Sequence, residues 1–91
     1  MTGTTSNPPT HTFRDIDRAL DLAKGRAFRA FKVIRQSLRE GSDFVLLHHR
    51  DDAALIRELR RQGRIYAASV NAVLLSDDAR RRVVEQLRRD G

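Results

Sequence analysis

The chain has no cysteine, no tryptophan and only two prolines, and these absences exclude several kinds of protein. Without cysteine, neither a disulfide framework nor a cysteine-ligated zinc site can make up for a small core. No apolar run approaches the roughly 18 residues that span a bilayer, and the first dozen residues lack both an apolar signal core and the arginines of a transit peptide. We therefore expect a cytoplasmic protein of bacterial or viral origin that does not enter a membrane and is stabilised by apolar packing.

Groups that could carry catalysis are also scarce. His48 and His49 are adjacent, and on a strand they would point to opposite sides, so that they could not both bind one metal ion. No glycine-rich phosphate loop follows a strand, no serine occupies a nucleophile-elbow sequence, and no His, Asp and Glu cluster has metal-ligand spacing. The sequence therefore indicates neither an enzyme nor a protein with a metal ion or another cofactor.

Positive charge is in excess, and it is unevenly distributed. The chain carries 18 basic and 12 acidic side chains, for a formal net charge of +6. Nearly all the basic residues are arginine, which a GC-rich genome explains as readily as a DNA partner does. Position is more informative, because residues 24–39 contain no acid and the rest of the chain is balanced. The basic residues of this stretch, here called the basic segment, are Lys24, Arg26, Arg29, Lys32, Arg35 and Arg39.

The first half of the chain predicts a tail and two helices. Residues 1–11 are rich in Thr, Asn and Pro and predict a disordered tail, so that residues 12–90 form a single domain. Thr12 can cap a first helix that runs to about Ala23, and Lys24-Gly25 then predicts a sharp turn. A second helix follows over roughly residues 24–39, with Ala, Phe, Ile and Leu on one face and the basic residues on the other.

The second half predicts strands and two more helices. The apolar run 44–47 is bounded by turn residues and predicts a buried strand, and Asp51 or Asp52 caps a third helix that ends at Gly63. Residues 64–68 and 72–75 are rich in β-formers and predict a hairpin, and Ser76 begins a last helix that ends near Arg89. The order is therefore ααβαββα, in the α+β class.

Two helices joined by a tight turn are typical of a helix-turn-helix, in which the second helix enters the major groove of DNA. Arg26 and Arg29 are then the candidate base readers, because arginine can donate two parallel hydrogen bonds to guanine. Lys32, Arg35 and Arg39 are expected to contact phosphates, Lys24 is also expected to bind DNA, and the hairpin could act as a wing with Arg64 at its base. The alternative is a solvated basic face without a partner, although such faces commonly alternate in sign.

Residues 16–76 resemble the small DNA-binding modules of bacteriophage repressors and of the N-termini of phage antirepressors. The features that carry the resemblance are Lys24-Gly25, the basic helix, residues 40–44, and residues 63–66 leading to residues 73–76. The resemblance implies a winged-helix-like regulator from a phage, a plasmid or an integrated element.

The predicted function is a transcriptional regulator that binds double-stranded DNA. We expect a homodimer, because one short recognition helix reads too few bases for useful specificity. The main alternative is a protein-interaction module, such as a phage-type inhibitor or adaptor, that docks its basic helix on an acidic protein partner. RNA binding is less favoured, because few aromatic residues are present and none alternate with basic residues on a strand.

Overall fold

A computed structural model describes residues 8–90, which fold into four α-helices and a two-stranded antiparallel sheet. The α+β class predicted from the sequence is therefore confirmed. In these residues, no helix has both the length and the apolar character needed to cross a bilayer. The elements are α1 (Phe13–Ala19), α2 (Arg26–Ile34) with a 3-10 turn (Arg35–Ser37), β1 (Phe44–Leu47), α3 (Ala53–Arg61), β2 (Ala72–Leu75) and α4 (Asp77–Asp90).

The sheet differs from the predicted hairpin. β2 pairs with β1, with Phe44 opposite Leu75 and Leu47 opposite Ala72. Residues 64–68 form a loop instead of a strand, so the observed order within residues 8–90 is ααβαβα and the predicted wing is absent from them. The prediction placed a turn at residues 69–71 and paired the segments on either side of it. Instead, β2 pairs with the apolar strand β1, which lies further away along the chain.

The sheet separates two apolar clusters. Side chains alternate between the two faces of a strand, so Phe44 and Leu75 share one face and Leu47 and Ala72 share the other. The first face packs on α1, α2 and α4 and forms the larger core, which contains Ile16, Ala27, Ala30, Phe31, Leu38, Ala79, Val83 and Leu87. The second face packs on α3 through a smaller cluster with Ile56, Leu59 and Ile65. As a result, α2 is held between α1, α4 and the sheet.

The predicted helix starts are largely confirmed, but the predicted ends of the first two helices are wrong, and α2 ends at Ile34 and its 3-10 turn at Ser37 and not near Arg39. Thr12 Oγ1 accepts the N–H of Asp15 at 3.1 Å, and the Asp15 carboxylate accepts the N–H of Thr12 at 3.2 Å, which closes a capping box. α1 nevertheless ends at Ala19 and not near Ala23, because the chain turns through Asp21 at a φ of 55°. Gly25 has the expected left-handed conformation, with a φ of 89°, but it precedes α2 instead of ending α1.

The last residues of the predicted tail belong to the fold. The backbone N–H groups of Thr10 and His11 both donate to the carbonyl of Leu75 at 3.0 Å, and the N–H of Leu75 donates to the carbonyl of His11 at 2.7 Å. His11 Nε2 also lies 2.6 Å from the Asp77 carboxylate. The predicted tail is thus wrong at Thr10 and His11, which extend the edge of β2, and its residues 1–7 lie outside the described residues.

Candidate nucleic-acid interface

α2 buries one face and exposes the other, as its amphipathic pattern predicts. Ala27, Ala30 and Phe31 are buried, and α2 packs on α4 and α1. The opposite side of α2 and its 3-10 turn is exposed, and Val33, at 62% exposure, is its most accessible apolar side chain. We call this exposed row the outward strip; it consists of Arg29, Lys32, Val33 and Gln36.

The basic segment has no acidic partner of its own. Among residues 8–90, none of its six cations forms an ion pair with a carboxylate, whereas Arg61, Arg64 and Arg81 all do. Three of its cations lie over aromatic rings instead: Lys24 over Tyr66, Lys32 over Phe28 with Nζ 5.0 Å from the ring centre, and Arg35 over Phe44 with the guanidinium 5.4 Å from the ring centre. These contacts orient the cations without neutralising them, so the charge is free to act on a partner.

The members of the basic segment do not all lie on one surface. Arg29 and Lys32 lie on the outward strip, and Arg35 and Arg39 are exposed further along the chain. Arg26, proposed from the sequence as a base reader, is only half-buried at the first turn of α2 and flanks the strip. Lys24 lies away from the strip, because it precedes α2 and its Nζ is 5.1 Å from the centre of the Tyr66 ring.

Arg64 has a different environment from the one predicted. Its guanidinium donates to the Asp15 carboxylate at 2.8 Å and 3.1 Å and also to the backbone carbonyl of Thr10. Burial alone would raise the pKa of Asp15, but the hydrogen bonds from Arg64 and Thr12 together lower it below its ordinary value. No wing forms in the described residues. Through these hydrogen bonds Arg64 instead holds the 64–71 loop to α1, and it is not part of the basic surface.

Three functional candidates escaped the sequence prediction. Val33 on α2 and Gln36 on its 3-10 turn are both exposed, and the signal for Val33 was its position within the basic arc, opposite the apolar face. Arg82 belongs to α4, and its Nη2 donates to Ser37 Oγ at 2.7 Å. Its charge therefore lies at the end of the 3-10 turn that follows α2. No sequence signal marked Arg82, because the packing of α4 on α2 determines this contact.

Asp17 fixes the start of α2 relative to α1. Its side chain is buried, and its carboxylate accepts the N–H of Gly25 at 3.1 Å, the N–H of Ala27 at 2.9 Å and the hydroxyl of Tyr66. Glycine has no side chain that could cap the helix, so the capping oxygen comes from the preceding helix. The sequence alone does not indicate these contacts, because the partners of Asp17 lie in other parts of the fold.

The contact with Asp17 predicts a pH dependence of stability for Tyr66. Burial, together with the hydrogen bond to the nearby negative carboxylate, raises the pKa of Tyr66 from 10.0 to about 12. A pKa that is higher in the folded state than in the unfolded state stabilises the fold below the unfolded value and loses this contribution as pH rises. We expect the wild-type free energy of unfolding to fall more steeply than that of Tyr66→Phe between pH 10 and about 12.

Urea unfolding of the two proteins at a series of pH values measures this difference. The Tyr66→Phe variant retains the ring and all other titrating groups, so that subtracting its profile isolates the hydroxyl. Parallel profiles of the two proteins over this interval would contradict the assignment.

His48 and His49 are placed differently from the prediction. They follow β1 in a turn, and their rings stack with centroids 4.7 Å apart instead of pointing to opposite sides of a strand. Asn71 Oδ1 accepts the N–H of His49 at 2.9 Å. In residues 8–90 no group of three or more His, Asp or Glu side chains is arranged to hold a metal ion.

Comparisons of the chain with protein-family models, with curated proteins and with solved structures give no match.

Proposed function

We propose that this protein is a transcriptional regulator that binds double-stranded DNA by placing α2 in the major groove. The observation that carries the proposal is an exposed helix face whose cations have no acidic partner among the described residues. The major groove is about 12 Å wide and admits one α-helix, and the phosphates that border it supply the missing negative charge. The resemblance to phage DNA-binding modules favours a regulator from a phage, a plasmid or an integrated element.

The outward strip offers side chains suited to base edges. Arg29 can donate two hydrogen bonds to guanine, Gln36 can pair with adenine, and Val33 can contact a thymine methyl group. Arg29 and Gln36 are seven residues apart, which is roughly 10 Å along a helix and spans about three base pairs. Because three base pairs specify too little, we include in the proposal a homodimer that binds two half-sites.

The remaining cations surround the strip and would contact phosphates. Lys32 lies on the strip itself, and Arg26 flanks it at the first turn. Arg35, Arg39 and Arg82 lie toward its end. These contacts would fix the position of the helix without reading sequence.

Selection from a random library of duplex DNA tests the proposal directly. We expect enrichment of a site with two inverted half-sites whose centres are about 10 base pairs or a multiple of that apart. Enrichment of a single half-site would support the recognition helix and reject the dimer. Failure to enrich any sequence at low salt would overturn the assignment as a sequence-specific DNA-binding protein.

Adjacent residues on the strip predict different salt behaviour. Each phosphate contact contributes about 0.9 to the slope of log affinity against log salt concentration, so Lys32→Ala should make the slope shallower by about 0.9 per bound protomer. Val33→Ala removes an apolar contact and should leave the slope unchanged while relaxing the base preference at one position. Titrations of labelled DNA at several salt concentrations measure both quantities. Equal slopes for the wild type and Lys32→Ala would show that Lys32 does not contact a phosphate.

A protein-interaction module is the second candidate, favoured by the apolar side chains on the same surface. Val33 is 62% exposed and Phe28 is 44% exposed beside the cations of α2, and a mixed apolar and basic surface also suits an acidic protein partner. This candidate predicts that the purified protein leaves DNA unshifted at physiological salt while it forms a stable complex with an acidic protein.

A further inference from the structure

One end of the sheet is left uncovered by the helices. Leu46 and Val73 lie opposite each other on the sheet face that packs on the larger core, but Leu46 is 45% exposed. The start of α1 and the start of α2 form one wall beside them, through Phe13 and Phe28, whose ring centres are 5.4 Å apart. The 64–71 loop forms the other wall, to which Tyr66 contributes its ring. These elements enclose an open groove with a volume of about 490 Å³.

The groove is apolar inside and cationic at its margin. Lys24 and Arg14 both border it and approach the same Tyr66 ring, with Lys24 Nζ at 5.1 Å and the Arg14 guanidinium at 5.4 Å from its centre. No Asp or Glu is among the lining residues. The Asp17 carboxylate contacts two of the lining residues, but it is buried and already accepts hydrogen bonds from Gly25, Ala27 and Tyr66. Two cations therefore converge on an apolar cavity without a carboxylate in its wall.

We propose that this groove binds a small organic acid that has a flat apolar body and a single carboxylate. The volume lies in the range of about 300–1,000 Å³ that is typical of small-molecule sites. The aromatic side chains of Phe13, Phe28 and Tyr66 suit a flat body. Lys24, which has no hydrogen-bond partner among the described residues, meets the carboxylate. Arg14 uses Nη1 on the carbonyl of Ile65 at 3.2 Å and keeps its other donors for the ligand.

The sheet edge at the groove favours a small molecule over a peptide strand. On the edge of β2 that faces away from β1, the N–H and carbonyl of Leu75 are already hydrogen-bonded to His11. Backbone groups point to the same edge at every second residue, so the N–H and carbonyl of Val73 are the next ones on this edge. A peptide added here would gain hydrogen bonds at a single residue of β2. Affinity must therefore come from the apolar cavity and the two cations, which a compact ligand can satisfy.

Three naphthalene probes of similar shape and different charge test the proposal. Naphthylacetate is the anionic probe, naphthylethanol the neutral one and naphthylethylamine the cationic one. We expect naphthylacetate to shift the amide resonances of groove residues in two-dimensional NMR spectra. It should bind about tenfold more tightly than naphthylethanol, as expected of a charge-assisted hydrogen bond, and naphthylethylamine should bind least.

Matched variants distinguish binding in the groove from nonspecific binding elsewhere on the surface. Lys24→Gln should weaken naphthylacetate binding about fivefold to tenfold and leave naphthylethanol binding unchanged. Leu46→Ala should weaken binding of both probes. Leu55→Ala, which removes a side chain of comparable exposure (43%) on α3 away from the groove, should weaken neither.

Several outcomes would overturn the proposal. It is wrong if no probe binds, if naphthylethanol binds as well as naphthylacetate, or if the shifted resonances lie outside the groove. Binding of an acidic peptide without binding of naphthylacetate would identify a protein docking site instead. None of these measurements uses DNA, so a failure here leaves the DNA-binding proposal untouched, and a failure to bind DNA leaves this one untouched.

Discussion

Replacing Asp17 with alanine is expected to lower the free energy of unfolding by about 3 kcal/mol, the largest effect on stability that we predict for a single side chain. The substitution leaves the N–H groups of Gly25 and Ala27 and the hydroxyl of Tyr66 without their acceptor. Each buried donor that loses its acceptor costs roughly 1–3 kcal/mol, and water that enters beside α2 recovers part of that cost. For a domain of this size the loss corresponds to a melting temperature lower by about 12–24 °C.

A graded series shows which part of the contact matters. Asp17→Asn keeps one carbonyl oxygen for the backbone of α2 and should cost less than alanine. Tyr66→Phe removes only the hydroxyl and should cost about 1 kcal/mol near neutral pH. Asp51→Ala, at an exposed carboxylate in the turn before α3, is the control and should change stability by less than about 0.5 kcal/mol. Thermal unfolding followed by circular dichroism gives all four values, and a loss below about 1 kcal/mol for Asp17→Ala would contradict the capping role.

The features that depend on local periodicity could be predicted from the sequence. The apolar spacing of α2 placed Ala27, Ala30 and Phe31 in the core, and the apolar run 44–47 is a strand. Helix caps were also readable, since Ser76 Oγ accepts the N–H of Ala79 at 3.1 Å and starts α4 as expected. In each case the determining interactions lie within a few residues of one another, so the pattern contains them.

The features that depend on distant partners could not be predicted in this way. β-propensity marked residues 64–68 and 72–75 alike, but only residues 72–75 find a strand to pair with, because Thr12 Oγ1 and the Arg14 guanidinium take the carbonyls of Arg64 and Ile65. The role of Asp17 depends on a contact across the α1–α2 connection, and that of Arg82 on the packing of α4. The basic segment could be recognised from its charge. Only the fold shows that Arg29 and Lys32 lie on the outward strip whereas Lys24 lies at the groove.

Replacing both Arg29 and Lys32 with glutamate should weaken DNA binding by roughly three orders of magnitude at low salt. Each substitution removes a favourable contact worth about 1–3 kcal/mol and puts a negative charge against the DNA, so that the pair costs roughly 4 kcal/mol. Both side chains are exposed and neither has an ion-pair partner among residues 8–90, so the fold should be retained. Fluorescence anisotropy with the duplex enriched from the random library measures the affinity.

The matched control is the double variant Arg50→Glu and Arg57→Glu, whose two positions are exposed around the start of α3 and lie outside the basic segment. The two double variants have the same net charge, and long-range attraction to DNA falls equally in both, so that any larger loss at Arg29 and Lys32 reports contact by α2. We expect the control to lose less than about tenfold, and to lose still less as salt is raised. Equal losses in the two variants would mean that DNA is held by net charge alone. An unchanged affinity for the Arg29 and Lys32 variant would remove α2 from the interface, because no arrangement of a recognition helix tolerates two carboxylates facing the phosphates.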